Sequence, residues 1–251
     1  MKKNKNTLVW QINTEGEPEK ISYLLGTMHV RDERAFQFES IFFEKILACE
    51  VFATEFDLED AQVAYVEEAM ILPNGERLSS LIPNKLYNKI NAFLKKQAGL
   101  SLIQFDIFKP IAVTNFLTES ILSKDRMMSL DETLWHFAKT NDKILRGIET
   151  FDEQLEVLKK MSFEDQLKGL KEIASNFSKF RKQLLKMAQL YEKADIAKMY
   201  KAAKETAKGG RKLLLYDRNE IMAERIQALI SNNTACVAIG AGHLADRKSV
   251  V

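Results

Sequence analysis

Proline and glycine are scarce in this chain, with 4 Pro and 10 Gly among 251 residues. So few chain-breakers exclude a protein built from elaborate loops and predict long helices with short connections. Only two cysteines are present, Cys49 and Cys236, which rules out a disulfide framework or a zinc knuckle. Each opens an apolar run ("ACEVFATEF" and "TACVAIG"), so both read as small buried hydrophobes, as suits a reducing compartment. Charge of one sign is not in excess either. Lys and Arg number 37 against 35 Asp and Glu, for a net charge of +2, so bulk charge gives a nucleic-acid partner no support. No run approaches the roughly 20 apolar residues of a membrane span, and "LVWQI" is too short for the apolar region of a signal peptide. As given, the sequence reads as cytoplasmic, or as exported if a leader has been removed. P-loop, Rossmann glycine fingerprint, serine nucleophile elbow and HExxH are all missing.

What is present is an ordinary globular balance, 46% apolar and 29% charged, enough to fill a core. Short β-rich runs occur at 8–12, 21–27, 51–56, 143–149 and 235–240, the first two reading as a hairpin. Helical periodicity marks 36–48, "DAQVAYVEEAMIL" (60–72), 84–98, 109–122 and 213–230. Ser129-x-x-Glu132 and Thr150-x-x-Glu153 have the capping-box pattern and predict helix starts. A Lys-rich helical stretch runs over 162–208 with a break near Asp195. The expectation is one α/β domain over 1–251, a central mixed sheet flanked by helices, with helix-rich insertions at about 60–140 and 152–208.

"YLLGTMHV" (23–30) and "VAIGAGHL" (237–244) repeat one pattern: an apolar strand, Gly, two residues, His. They hold two of the three histidines, His29 and His243. If their strands are parallel in one sheet, both imidazoles leave at the carboxyl edge, where open α/β sheets bind ligands. Gly26, Gly240 and Gly242 would let the backbone turn sharply or approach a neighbour closely. Glu55, inside the strand "VFATEF", is a carboxylate among apolar residues and requires a cation, a metal or hydrogen-bond donors; the plain alternative is an exposed Glu on an edge strand. Two imidazoles and a carboxylate suit Zn, Mn, Co or Fe. Arg218 and Asn219 open the last amphipathic helix. That guanidinium is placed to clamp a carboxylate or steady an oxyanion, or else to pair locally with Asp217 or Glu220. Glu149 is either a site carboxylate or favourable charge at a helix start. His136, mid-helix with no partner at i+4, reads as structural.

Taken in order, "LVWQI…YLLGTMHV", "FATEFD", "LDETLWHFAKTNDKILRGIETFDEQ", "DRNEIMAERI" and "VAIGAGHL" resemble the TraB/PrgY/GumN family, to which the Tiki metalloproteases are similar. The resemblance runs from about residue 8 to 244. It implies an α/β fold related to the erythromycin-esterase and ChaN-like proteins. It implies that His29, Glu55 and His243 are metal and catalytic residues, with Arg218 and Asn219 beside them, and that the metal is Mn or Co, with Zn as the other candidate. It further implies a metal-dependent, peptidase-like hydrolase acting on a peptide or small molecule. The alternative is a protein that sequesters a peptide or haem-like ligand in the same cleft, and a third reading is a helical interaction protein with structural histidines. One departure stands out. Asp246 occupies the place of an expected glycine, and the helix and strand usual after the second motif are missing, which predicts an uncovered side and an oligomer contact there.

Overall fold

In the computed structural model, residues 7–14, 16–60, 69–206 and 217–244 are described, the side chains of 203–206 excepted. Five strands make one sheet in the order β1-β2-β5-β3-β4: β1 (Val9–Thr14), β2 (Glu17–Thr27), β3 (Val51–Phe56), β4 (Ile144–Glu149) and β5 (Ala235–Gly240). β1 and β2 form the antiparallel hairpin, while β2–β5, β5–β3 and β3–β4 are parallel. The sheet is therefore mixed. Ten helices lie among the described residues: α1 (Glu39–Leu47), α2 (Leu78–Leu81), α3 (Asn84–Ala98), α4 (Pro110–Ile121), α5 (Leu130–Thr140), α6 (Phe151–Lys159), α7 (Phe163–Ser175), α8 (Phe177–Glu192), α9 (Ile196–Thr206) and α10 (Asp217–Asn232). None is long and apolar enough to cross a membrane.

β5 lies third of five, and its residues 235–239 are all buried. A strand buried on both faces must be apolar throughout, as "ACVAI" is. Side chains alternate along a strand, so the run splits between two cores. Cys236 and Ala238 join Leu25 and Phe52 under α1 (Phe42, Ile46) and α5 (Leu134, Trp135, Ala138). Ala235, Val237 and Ile239 join Leu24, Val51 and Ala53 under α10 (Met222, Ile226). Both cysteines are free and buried, and burial pushes the Cys49 thiol up to about 11.

The chain divides into two compact units. Met1–Asp60, Ser123–Gln154 and Lys186–Val251 carry the sheet, and Ala61–Leu122 with Leu155–Leu185 form the other. The second has its own core, where Ile90 and Leu94 of α3, Val113 and Leu117 of α4, and Leu170 and Ile173 of α7 are buried together. Of the expected helix over 60–72, residues 61–68 lie outside the described residues. The Lys-rich stretch breaks twice: at Asn176, which leaves the helical region (φ −144°, ψ 62°), and before α9 at Ala194 (φ 50°) and Asp195.

Both capping boxes form. Ser129 caps α5 and its N–H donates to Glu132 Oε2 at 2.7 Å; the Thr150 N–H donates to Glu153 Oε2 at 2.8 Å and receives the Glu153 N–H on Oγ1 at 3.2 Å. After β2 the chain is pinned by Asp32, which is 1% exposed. Its carboxylate accepts from Arg34 Nε (2.7 Å) and Nη2 (2.6 Å) and from the Ser123 N–H (3.2 Å).

These donors, Arg34 first, hold the Asp32 carboxyl at about 2, below its ordinary 3.8. A depressed carboxyl stabilises the fold above its unfolded value and loses that contribution as pH falls through its folded value. Asp32→Asn is therefore expected to lower stability by about 2 kcal/mol at neutral pH, and the deficit should shrink as pH drops from 3.8 towards 2. Urea unfolding of both proteins at pH 7 and pH 3 checks this; an equal deficit at both is the contrary result.

Candidate functional site at the carboxyl edge of the sheet

Because β2 and β5 are parallel neighbours, with Thr27 opposite Gly240, both Gly-x-x-His segments leave the sheet at one edge. The β5 ladder runs one step further, the Ala241 N–H donating to the Thr27 carbonyl at 2.8 Å. A turn follows, closed by the His243 N–H on the Gly240 carbonyl at 2.9 Å. Glu55 arrives at the same edge from β3, and Glu149 from β4, beside Phe56 in register.

The glycines act through space rather than through unusual dihedrals, for none of the three has a positive φ. A Cβ on Gly240 would stand 3.0 Å from Glu55 Oε1, and one on Gly26 would stand 2.6 Å from Leu244 Cδ1. Gly242 departs from the sequence expectation, since a Cβ there meets nothing within 4 Å. The bare Gly240 lets its N–H donate to Glu55 Oε1 at 2.8 Å.

Glu55 is on an interior strand, its side chain 22% exposed. Oε1 faces His243 Nε2 at 3.7 Å, and Oε2 accepts from Arg218 Nη2 at 2.6 Å and Gln154 Nε2 at 3.2 Å. Arg218, at the start of α10, also grips Glu149 through Nη2 at 2.5 Å and Nε at 3.0 Å. It thus pairs with two strand-end carboxylates rather than with Asp217 or Glu220. Glu149 is 6% exposed and belongs to this cluster. Burial alone would raise the Glu55 carboxyl, but His243, Arg218 and the Gly240 N–H together hold it below the ordinary value.

His243 is 6% exposed. Its Nδ1 lies 2.6 Å from Asn219 Oδ1, while Asn219 Nδ2 donates to the His243 carbonyl at 3.5 Å. An amide oxygen can only accept, so Nδ1 carries the proton and Nε2 keeps its lone pair. Burial lowers this imidazole's proton affinity, which favours the neutral, donor form. A lone pair and a carboxylate oxygen thus face each other at 3.7 Å, an arrangement that a cation between them would relieve.

His29 has the same motif and a different setting. It is 65% exposed, with Nδ1 at 3.4 Å from both Asp131 Oδ2 and Ser129 Oγ. The Asp131 contact raises its proton affinity, against its own desolvation, and the charge of Glu55 adds to the rise. Glu55 thus links Arg218 to His243, which Asn219 holds in turn, while His29 makes its contacts with the start of α5. Among the described residues, no three His, Cys, Asp or Glu side chains are gathered to hold a metal ion as they stand. His136 is exposed on α5.

Asp131 and Gln154 were not singled out in the sequence. Asp131 follows a capping serine, where an acid reads as ordinary first-turn charge, and Gln154 carried no signal at all.

Among the described residues, Arg218 is the cation whose ion pairs reach both Glu55 and Glu149. Arg218→Met is expected to destabilise the fold by about 3–5 kcal/mol at pH 7.5, because two carboxylates would then crowd each other unpaired. The proton affinity of Glu55, which Arg218 helps to lower, should rise, so the deficit should shrink towards pH 5. Denaturant titrations of the variant and parent at both pH values decide it; a loss under about 1 kcal/mol would mean a solvent-screened surface pair.

The TraB/PrgY/gumN family profile matches residues 8–251. Similar curated proteins are "Metalloprotease TIKI2" of Danio rerio, 25% identical over 99% of this chain and 59% of its own length; "Metalloprotease TIKI homolog" of Nematostella vectensis, 22% identical over 99% and 65%; and "Metalloprotease TIKI2" of Xenopus tropicalis, 22% identical over 98% and 57%. The chain therefore spans roughly three-fifths of these relatives. No solved structure matches it.

Proposed function

Because this chain belongs to the TraB/PrgY/gumN family, we propose that it is a metal-dependent hydrolase of peptides or related amides, working at the carboxyl edge of the sheet. The observation that carries the reading is the His243 Nε2 lone pair facing Glu55 Oε1 at 3.7 Å. A buried neutral imidazole and an ionised carboxylate are the donor types that Zn, Mn and Co accept. The Asn219 contact on Nδ1 is the outer hydrogen bond that orients metal-binding histidines. Glu55 and His243 are the donors we assign, and His29, the third metal candidate of the sequence, is assigned to proton transfer at the same edge instead. A bound divalent cation would supply Lewis acidity, polarising a carbonyl and lowering the pKa of water.

The protein's own groups divide the remaining work. Arg218 holds Glu55 in its ionised form and pairs with Glu149; with its charge committed to two carboxylates, it is a clamp rather than an oxyanion donor. His29, exposed and with raised proton affinity, suits proton transfer through Nε2. In the hydrolysis, water adds to the carbonyl carbon and gives up a proton to His29. The C–N bond then breaks, and the leaving nitrogen takes that proton. The relatives' printed names, all metalloproteases, support a peptide substrate.

Calorimetry with manganese, cobalt and zinc, followed by a peptide library with and without chelator, tests this. His243→Ala and Glu55→Gln are expected to weaken metal binding about 10–100-fold or more, and His136→Gln to leave it unchanged. Protons compete for a donor imidazole. Since burial lowers the His243 pKa below 6.5, affinity should persist further into acid than an ordinary histidine site allows, falling off only below that value. Metal binding without chelator-sensitive turnover would favour the sequestering alternative. No binding of any of the three metals would sink the proposal.

A further inference from the structure

Asp131 touches His29 and has no task in the proposed reaction. Its Oδ1 is anchored, accepting from Thr27 Oγ1 at 2.6 Å. Its Oδ2 is sealed from solvent and accepts no hydrogen bond among the described residues. A buried carboxylate oxygen left in that state costs free energy unless a donor reaches it. The donor-bearing atom facing it is His29 Nδ1, at 3.4 Å, long for a hydrogen bond but within the range that tightens when a site is filled. The anchor is rigid on both sides. Thr27 ends β2 two residues before His29, and Asp131 lies in the first turn of α5, which is docked on that segment by the Leu130 N–H on the Val30 carbonyl at 3.2 Å.

We infer that Asp131 is the positioning residue of His29: its carboxylate takes the Nδ1–H and turns Nε2, with its lone pair, out to the edge that Glu55 and His243 share. An ionised carboxylate only accepts, so it selects one tautomer of the ring. Ser129 Oγ, equally distant at 3.4 Å, gives its proton to Glu132 Oε2 at 2.7 Å, so it too can only accept from Nδ1 and supports the same tautomer as a neutral, weaker partner. The two motif histidines then present the same nitrogen, Nε2, through different outer partners: an amide for the buried ring and a carboxylate for the exposed one. What Nε2 does there rests on the hydrolase reading, but how the ring is held does not.

Long-range proton–nitrogen correlation spectra of the full chain, without added metal, read the tautomer directly. The protein has three histidines, and single His→Gln variants assign their signals. At a pH where His29 is neutral, its Nδ1–H form should predominate. Asp131→Asn should move the ring to the Nε2–H form, because the Thr27 hydroxyl that donates to Oδ1 holds the amide oxygen and leaves the amide nitrogen to donate towards Nδ1, while the His243 signals stay in place. Ser129→Ala should leave the tautomer unchanged. In peptide cleavage, Asp131→Asn should lower kcat about 10–100-fold with KM little changed. A parent protein whose His29 is mainly Nε2–H overturns the inference, and this holds even if the variant fails to fold. So does a folded Asp131→Asn that keeps the parent tautomer. A tautomer switch in a protein that cleaves nothing leaves the inference standing and removes the hydrolase reading; cleavage without the switch does the reverse.

Discussion

One guanidinium sets the terms for this edge of the sheet. Parallel strands bring their carboxyl ends together, so acidic residues ending adjacent strands are forced into proximity. Glu149 lies beside Phe56 in register and Glu55 is one residue back. Two carboxylates so placed repel each other unless a cation stands between them. Arg218 bridges them from the first turn of α10, and its orientation depends in turn on the apolar contacts of Met222 and Ile226 that seat that helix on the sheet. The next residue, Asn219, then meets His243. Seating one helix thus fixes a charge and a tautomer together.

The doubled motif shows how little a motif fixes alone. Both histidines follow a strand and a glycine at the same spacing, yet one proton affinity is lowered and the other raised. The difference comes from what packs over each turn. The helix over His243 offers an amide and the helix beside His29 offers a carboxylate, from segments distant in sequence. A pair of imidazoles unlike in burial and in charge environment is suited to two tasks rather than to one task done twice.

Where the sequence was legible, burial was the reason. The strands appear as apolar runs because they are covered on one or both faces, and Glu55 stands out because a charge in such a run needs a partner. Ser129 and Thr150 are readable because a capping box is local chemistry. Asp131 was hidden by the same box: an acid in a first helical turn has an adequate local explanation, and its contact with His29 across 102 positions, 131 − 29, leaves no local trace. Glu149 stayed ambiguous for a similar reason. The break at Asn176 differs from the single break expected near Asp195, because the Lys-rich composition runs on past it (Lys171, Lys179, Lys182). Gly242 was read by analogy with its neighbour Gly240, although only the latter has Glu55 against it.

The sheet order carries a consequence for synthesis. β5 is the last of the five strands in sequence, but it sits between β2 and β3. Until it emerges from the ribosome, the β1–β2 hairpin and the β3–β4 pair are separate pieces, each with an unpaired inner edge that could template the wrong partner. From the end of β4 at Glu149 to the start of β5 at Ala235, nascent chains therefore carry two open inner edges, and closure depends on contacts between distant positions, which form slowly. The same order withholds the second imidazole until the sheet can shut.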